Sequence, residues 1–146
     1  MFLGKHLHNL DDKGRVSIPA AFRKVMQQMG SDRLIITRGK SPCLVAFTVD
    51  EWSKVIEKTE KEPMLDDEVE AFERTYLAHA SEIEVDRQGR VLIPEYLREL
   101  ADLDKEAVFA GRNKKFEIWN PTQWAEAVRE SGQRLNSAGG RLKAII

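Results

Sequence analysis

The sequence predicts an α+β fold assembled from two tandem copies of one unit. Three observations carry that expectation: one segment occurs twice, short β-branched runs accompany each copy, and each copy closes on a capped helix. Leu10-Asp11-Asp12-Lys13-Gly14-Arg15-Val16-Ser17-Ile18-Pro19-Ala20-Ala21-Phe22-Arg23 recurs as Val85-Asp86-Arg87-Gln88-Gly89-Arg90-Val91-Leu92-Ile93-Pro94-Glu95-Tyr96-Leu97-Arg98, with seven of fourteen positions identical. Unrelated segments of this length match at about one position, so the match marks an internal duplication.

The elements follow in order within each copy. His6–Leu10 and Ile83–Val85 alternate or carry β-branched residues and predict strands leading into the repeat. Asp-x-x-Gly is turn chemistry, because Asp accepts backbone N–H bonds and Gly tolerates positive φ. Arg15–Ile18 and Arg90–Ile93 predict short strands, with Val16 and Ile18 on one face and Arg15 and Ser17 on the other. Pro19 and Pro94 suit the first position of the helices expected over Ala20–Gln28 and Glu95–Ala101. Hairpins follow: Leu34–Thr37 with Leu44–Phe47, and Val108–Ala110 with Phe116–Trp119. Thr48-x-x-Glu51-Trp52 and Asn120-Pro121-x-Gln123-Trp124 then place a cap three residues before Glu or Gln. The matched Trp52 and Trp124 are expected as core anchors of these helices.

A further helix, Asp66 to Ala80, bridges the copies. Its Val69, Phe72, Tyr76 and Leu77 fall on one face, suited either to packing on the same chain or to a subunit contact. Ser137-Ala138-Gly139-Gly140 breaks structure, and Arg141–Ile146 is expected to lack regular structure.

Composition narrows the class. With 42% hydrophobic and 32% charged residues the chain reads as globular rather than disordered. The lone Cys43 excludes an internal disulfide and a cysteine-built zinc site, so a reducing cytosol is the expected compartment. No apolar run approaches the ~20 residues of a membrane span, and Met1–His6 lacks the apolar core of a secretion leader. Net charge is −1, unevenly distributed: residues 1–40 carry eight basic and three acidic side chains, whereas residues 41–80 carry four and ten. A basic end can attract phosphate despite the overall balance, because fields act within a Debye length of about 8–10 Å.

No catalytic constellation emerges, and no cofactor is expected. His6 and His8 could face one side of a strand as metal ligands would, but no third ligand is indicated nearby, and structural or surface roles are the simpler reading. Ser17 has no evident base, Cys43 has no paired histidine pattern, and no phosphate-cradling loop occurs. The Asp-x-x-Gly-Arg turns remain. Each either projects Arg15 or Arg90 toward phosphate or guanine, or ties it internally to Asp11 or Asp86.

Met1-Phe2-x-Gly4, His8-Asn9-Leu10-Asp11-x-Lys13-Gly14-Arg15, Ile18-Pro19-x-x-Phe22-Arg23, Cys43-Leu44 and Phe116-Glu117-Ile118-Trp119 together resemble the MraZ transcriptional regulators, from Met1 to about Trp124. The resemblance implies two swapped-hairpin elements of the AbrB type forming one pseudo-symmetric β-barrel core with flanking helices. It implies a first AbrB-like repeat over 1–52, a helical connection over 53–77, a second repeat over 78–124, and a C-terminal helix and tail over 125–146. It further implies a ring-shaped homo-oligomer that binds double-stranded DNA at tandem promoter repeats. Such a regulator, usually a repressor, would act on the division and cell-wall gene cluster, including its own gene, in the cytoplasm at the nucleoid. No membrane partner or small-molecule substrate is implied.

The family's Asp-x-x-x-Arg signature matches Asp11/Arg15 and Asp86/Arg90. The copies differ at Lys13 against Gln88 and at Ser17 against Leu92, and an apolar Leu92 suggests that the second ribbon is partly covered. Arg15 and Lys13 are therefore the expected main DNA contacts, with Arg90, Arg87 and Lys5 secondary. Asp11, Gly14, Asp86 and Gly89 are expected to brace the turns. The competing reading is a ring-forming adaptor that binds other proteins through the acidic helical region.

Overall fold

A computed structural model describes residues 1–146. The alternation read in the repeat becomes the same succession of elements in each half. The first half contains β1 (Lys5–Asn9), β2 (Arg15–Ser17), α1 (Ala20–Gln28), β3 (Arg33–Arg38), β4 (Leu44–Thr48) and α2 (Val49–Glu60). Helix α3 (Asp67–Phe72) and a π-helical turn (Glu73–Leu77) lead to the second half. There β5 (Ser81–Glu84), β6 (Arg90–Leu92), α4 (Glu95–Leu100), β7 (Glu106–Arg112), β8 (Lys115–Trp119) and α5 (Pro121–Asn136) follow the same order.

The halves interleave rather than sit side by side. One antiparallel sheet runs β1-β7-β8-β4-β3-β5, so β1 pairs with the second half and β5 with the first. Strands β4 and β8, one from each half, meet at the centre with Ala46 opposite Phe116. Strands β2 and β6 leave this sheet and pair with each other, Val16 opposite Val91. The sheet does not close into the expected barrel. After β1 and β5 the chain turns away to build the β2–β6 ribbon, which leaves β1 and β5 as the two edges.

One core serves both halves. Equivalent residues fill it in pairs: Val16 with Val91, Ile18 with Ile93, and Phe22 with Leu97, each at most 2% exposed. Phe22 stands at its aromatic centre, with ring centroids 5.3 Å from Phe2 and 4.9 Å from Phe116. His6 and His8 do share the inward side of β1, but each ring lies edge-on to a phenylalanine, Phe22 and Phe109 respectively. Burial pushes the Cys43 thiol up to about 12, with Glu117 adding to the shift.

Several local expectations shift. Pro19 and Pro94 stand one residue before their helices, where their extended ψ aims the chain and their carbonyls accept the first helical N–H bonds. Thr48 and Asn120 cap as expected, with Thr48 Oγ1 3.4 Å from Glu51 N and Asn120 Oδ1 2.8 Å from Thr122 N. Trp52 and Trp124 do not enter the main core. Both are half-buried on the outer face, against Phe47 and Trp119 respectively, because their helices lie over the sheet's other side. The bridging helix expected over Asp66–Ala80 forms without a break, passing from α geometry at Phe72 into the π-helical turn at Glu73–Leu77. The Thr37 hydroxyl donates to the Tyr76 carbonyl at 2.6 Å, satisfying an acceptor that the helix's C-terminal end leaves without an intrahelical partner. Its apolar residues are half-buried on this chain. The tail is not wholly irregular, since Leu142–Ile145 winds into a 3₁₀ turn. No helix is long and apolar enough to cross a membrane.

Truncating Phe22, which is fully buried, removes the ring shared by both halves. Phe22→Ala should lower unfolding stability by about 3–5 kcal/mol in a urea melt, in one cooperative transition. Loss of the first half's signals alone would contradict a shared core.

Candidate nucleic-acid interface

Each Asp-x-x-Gly-Arg segment folds as the same turn. Asp11 Oδ1 accepts the amides of Lys13 and Arg15, both at 2.9 Å, and Oδ2 accepts Arg15 Nε at 2.7 Å. Asp86 repeats this with Gln88 N at 2.8 Å, Arg90 N at 2.9 Å and Arg90 Nε at 3.2 Å. The amides of Gly14 and Gly89 close the turns onto Asp11 and Asp86, each with a 3.0 Å bond. Their φ values of 87° and 77° lie where a side chain is strained.

The turns complete one another across the halves. Ile18 N donates to Gly89 O at 2.8 Å, and Ile93 N donates to Gly14 O at 3.0 Å. Arg23 reaches over the second turn and Arg98 over the first. A Cβ at Gly89 would lie 2.5 Å from Arg23 Nη1, and one at Gly14 would lie 2.5 Å from Arg98 Nε. Arg23 Nε and Arg98 Nε donate to Ile18 O and Ile93 O at 3.1 and 3.0 Å. The last arginine of each repeat thus packs on the other repeat's turn.

This pairing makes one surface. In the antiparallel ribbon Arg15 lies opposite Leu92 and Ser17 opposite Arg90, so all four share the outer face while Val16 and Val91 point into the core. Arg15 and Arg90 retain 37% and 30% side-chain exposure, and each carboxylate engages only Nε. Their terminal Nη groups are therefore available to grip an oxyanion, while the Nε contact fixes the guanidinium. The internal ion pair and an outward reach coexist in the same arginine.

Comparison with known proteins places this architecture. The family described as "MraZ protein, putative antitoxin-like" matches twice, over residues 1–75 and 76–141. The chain belongs to the MraZ family. It is 40% identical to the "Transcriptional regulator MraZ" of Desulfitobacterium hafniense (strain Y51) over 97% of this chain and 96% of the relative. Proteins of the same name from Acetivibrio thermocellus and Thermomicrobium roseum are 41% and 38% identical, over 99% and 100% of both chains.

Within this MraZ chain the expected site residues separate into groups. Arg15 and Arg90 meet on the ribbon, whereas Lys13 and Arg87 stand exposed at the tips of turns at its opposite ends. Lys5 is exposed but starts β1, about 17–20 Å of strand away from the first turn. Leu92 is not covered: it is 53% exposed beside Arg15, since no element of this chain packs over the ribbon's outer face. Arg23 and Arg98 were missing from the sequence-based set. Their identity in both copies was the available signal, but their position depends on the exchange of turns between halves.

Two outcomes test the turn. The Arg15 amide, first among the bonds on Asp11, holds its carboxyl well below the usual range, at about 2, and the Arg90 amide also lowers the Asp86 carboxyl. Because the folded value is depressed, the carboxylate's contribution is complete at neutral pH and fades as pH falls below 3.8 toward 2. Carboxyl-detected NMR should show Asp11 titrating near that lower value, and a midpoint at the ordinary one would mean that the turn's bonds do not form. Gly14→Ala combines strain with the Arg98 clash and should lose about 1–3 kcal/mol in a denaturant melt.

Proposed function

We propose that the chain is a sequence-specific DNA-binding transcriptional regulator that uses the outer face of the β2–β6 ribbon. The observation that carries this reading is the pairing of Arg15 and Arg90 on one exposed face, each oriented by its own aspartate. A two-stranded ribbon fits the major groove, and a guanidinium with free Nη groups can bond phosphate or the O6/N7 edge of guanine. Lys13 and Arg87 would reach the flanking backbone from the two turn tips. Arg23 and Arg98 add positive charge behind the turns. The curated relatives' shared name supports a regulatory role.

We read the exchange of strands as AbrB-type swapped hairpins supplied by one chain, with repeats at 1–52 and 78–124, a connection at 53–77 and a C-terminal segment at 125–146. Two central arginines give limited affinity per subunit. A homo-oligomeric ring on tandem promoter repeats would make later contacts intramolecular and raise avidity by about 10²–10⁴. The proposed targets are the division and cell-wall gene cluster and the chain's own promoter, with repression as the usual outcome, in the cytoplasm at the nucleoid. Catalysis has no part in this reading.

Gel shifts on DNA upstream of the chain's own gene test the ribbon. Arg15→Ala and Arg90→Ala should each weaken binding about tenfold to a hundredfold, with unchanged native mass and melting temperature. Wild-type affinity should fall steeply with salt, the slope counting phosphate contacts. Intact binding by the double variant would reject the ribbon as the interface, and salt-independent binding of a protein partner would favour the adaptor reading.

A further inference from the structure

The sheet has a second chemically distinctive face. Leu44, Ala46, Phe116 and Ile118 point into the core, so the alternate residues Val45, Phe47, Lys115 and Glu117 point to the opposite side. There a cavity of about 350 Å³ opens between the sheet, α2 and the π-helical turn. That volume lies within the range of small-molecule sites, about 300–1,000 Å³.

Two aromatic pairs line it. Phe47 and Trp52 lie 5.4 Å apart on one side, and Phe72 and Tyr76 lie 5.0 Å apart on the other. The π-helical turn that contains Tyr76 is a rare element, found frequently at functional sites.

Cations gather beside these rings. Arg38 ends β3 and Lys40 follows it in the β3–β4 connection, while Arg112 ends β7 and Lys115 starts β8. Arg38, Lys40 and Lys115 have no ion-pair partner on this chain. The one lining carboxylate, Glu117, is already engaged by Arg112 and Trp119 Nε1, both at 3.0 Å. Burial, with Arg112, Lys40 and Lys58 nearby, pushes the Lys115 ammonium below the usual lysine range. Four cations against one carboxylate, beside half-buried aromatic rings, match an anion carrying a planar body.

We infer that this cavity binds a small polyanion with a planar ring, of the nucleotide class. The ring stacks among Trp52, Phe47 and Tyr76, and the phosphates meet Arg38, Lys40 and Lys115. The site lies on the far side of the sheet from the ribbon and does not depend on the DNA reading.

Calorimetric titration of the full chain with adenosine triphosphate, tripolyphosphate and adenosine tests this inference. Adenosine triphosphate should saturate below about 1 mM, and each fragment should bind at least about tenfold more weakly. Arg38→Ala and Lys115→Ala should each weaken the nucleotide about tenfold, and Trp52→Leu comparably, with thermal melts confirming folded variants. Tripolyphosphate matching the nucleotide would reduce the cavity to a bare anion patch and overturn the inference. So would absence of saturation, or a change in native mass on Lys115→Ala without a change in nucleotide affinity.

Discussion

The reciprocal closure of the two turns is the interaction on which the rest of the structure depends. Ile18 bonds to the Gly89 carbonyl and Ile93 to the Gly14 carbonyl, so neither turn is finished by its own repeat. Once those bonds form, Val16 and Val91 are pinned against one core, and Arg15 and Arg90 are held on one outward face. Arg23 and Arg98 pack over the glycines of the opposite repeat, where any side chain would collide with them. Core, ribbon and charged surface are therefore consequences of a single exchange.

Much of this was legible because it is local. Alternation exposed the strands, the Asp-x-x-Gly spacing exposed the turns, and Thr48 and Asn120 announced their helices. Helix α1 spans the expected Ala20–Gln28 because Pro19 fixes its start and Phe22 and Met26 face the core one turn apart. The partnership between halves was not legible from spacing alone, because either repeat could close its own turn on paper. The family resemblance implied swapped hairpins, but did not reveal that Arg23 guards Gly89. The misreading of Leu92 has a similar origin. An apolar residue on a strand was taken as a sign of cover, yet an isolated exposed leucine is ordinary on a protein surface.

The stretch after Phe72 keeps the helical pattern but changes from α to π geometry. Val69, Phe72, Tyr76 and Leu77 fit one continuous stripe, and nothing within 66–80 forbids it. The helix's C-terminal end is tied to the sheet by Thr37 on β3, whose buried hydroxyl needs an acceptor and takes the Tyr76 carbonyl. The two tryptophans were displaced by a nonlocal effect. Their helices were rightly placed after β4 and β8, but those helices cover the sheet's outer side, so equivalent anchors stayed at the periphery. The same arrangement distributes positive charge over both faces of the sheet.

Interleaving also sets an order for biosynthesis. Strand β1 finds its partner only in residues 106–110, and the first turn is closed only by Ile93. At usual synthesis rates, about 5–20 s separate β1 from β7 on the ribosome. During that interval the nascent first half must carry Val16, Ile18 and Phe22 without the second half's core, while one edge of β3 awaits β5. The duplicated segment thus offers a temporary surrogate partner, the same segment of a neighbouring nascent chain. Completion of the core within one molecule therefore waits on the synthesis of residues 81–119.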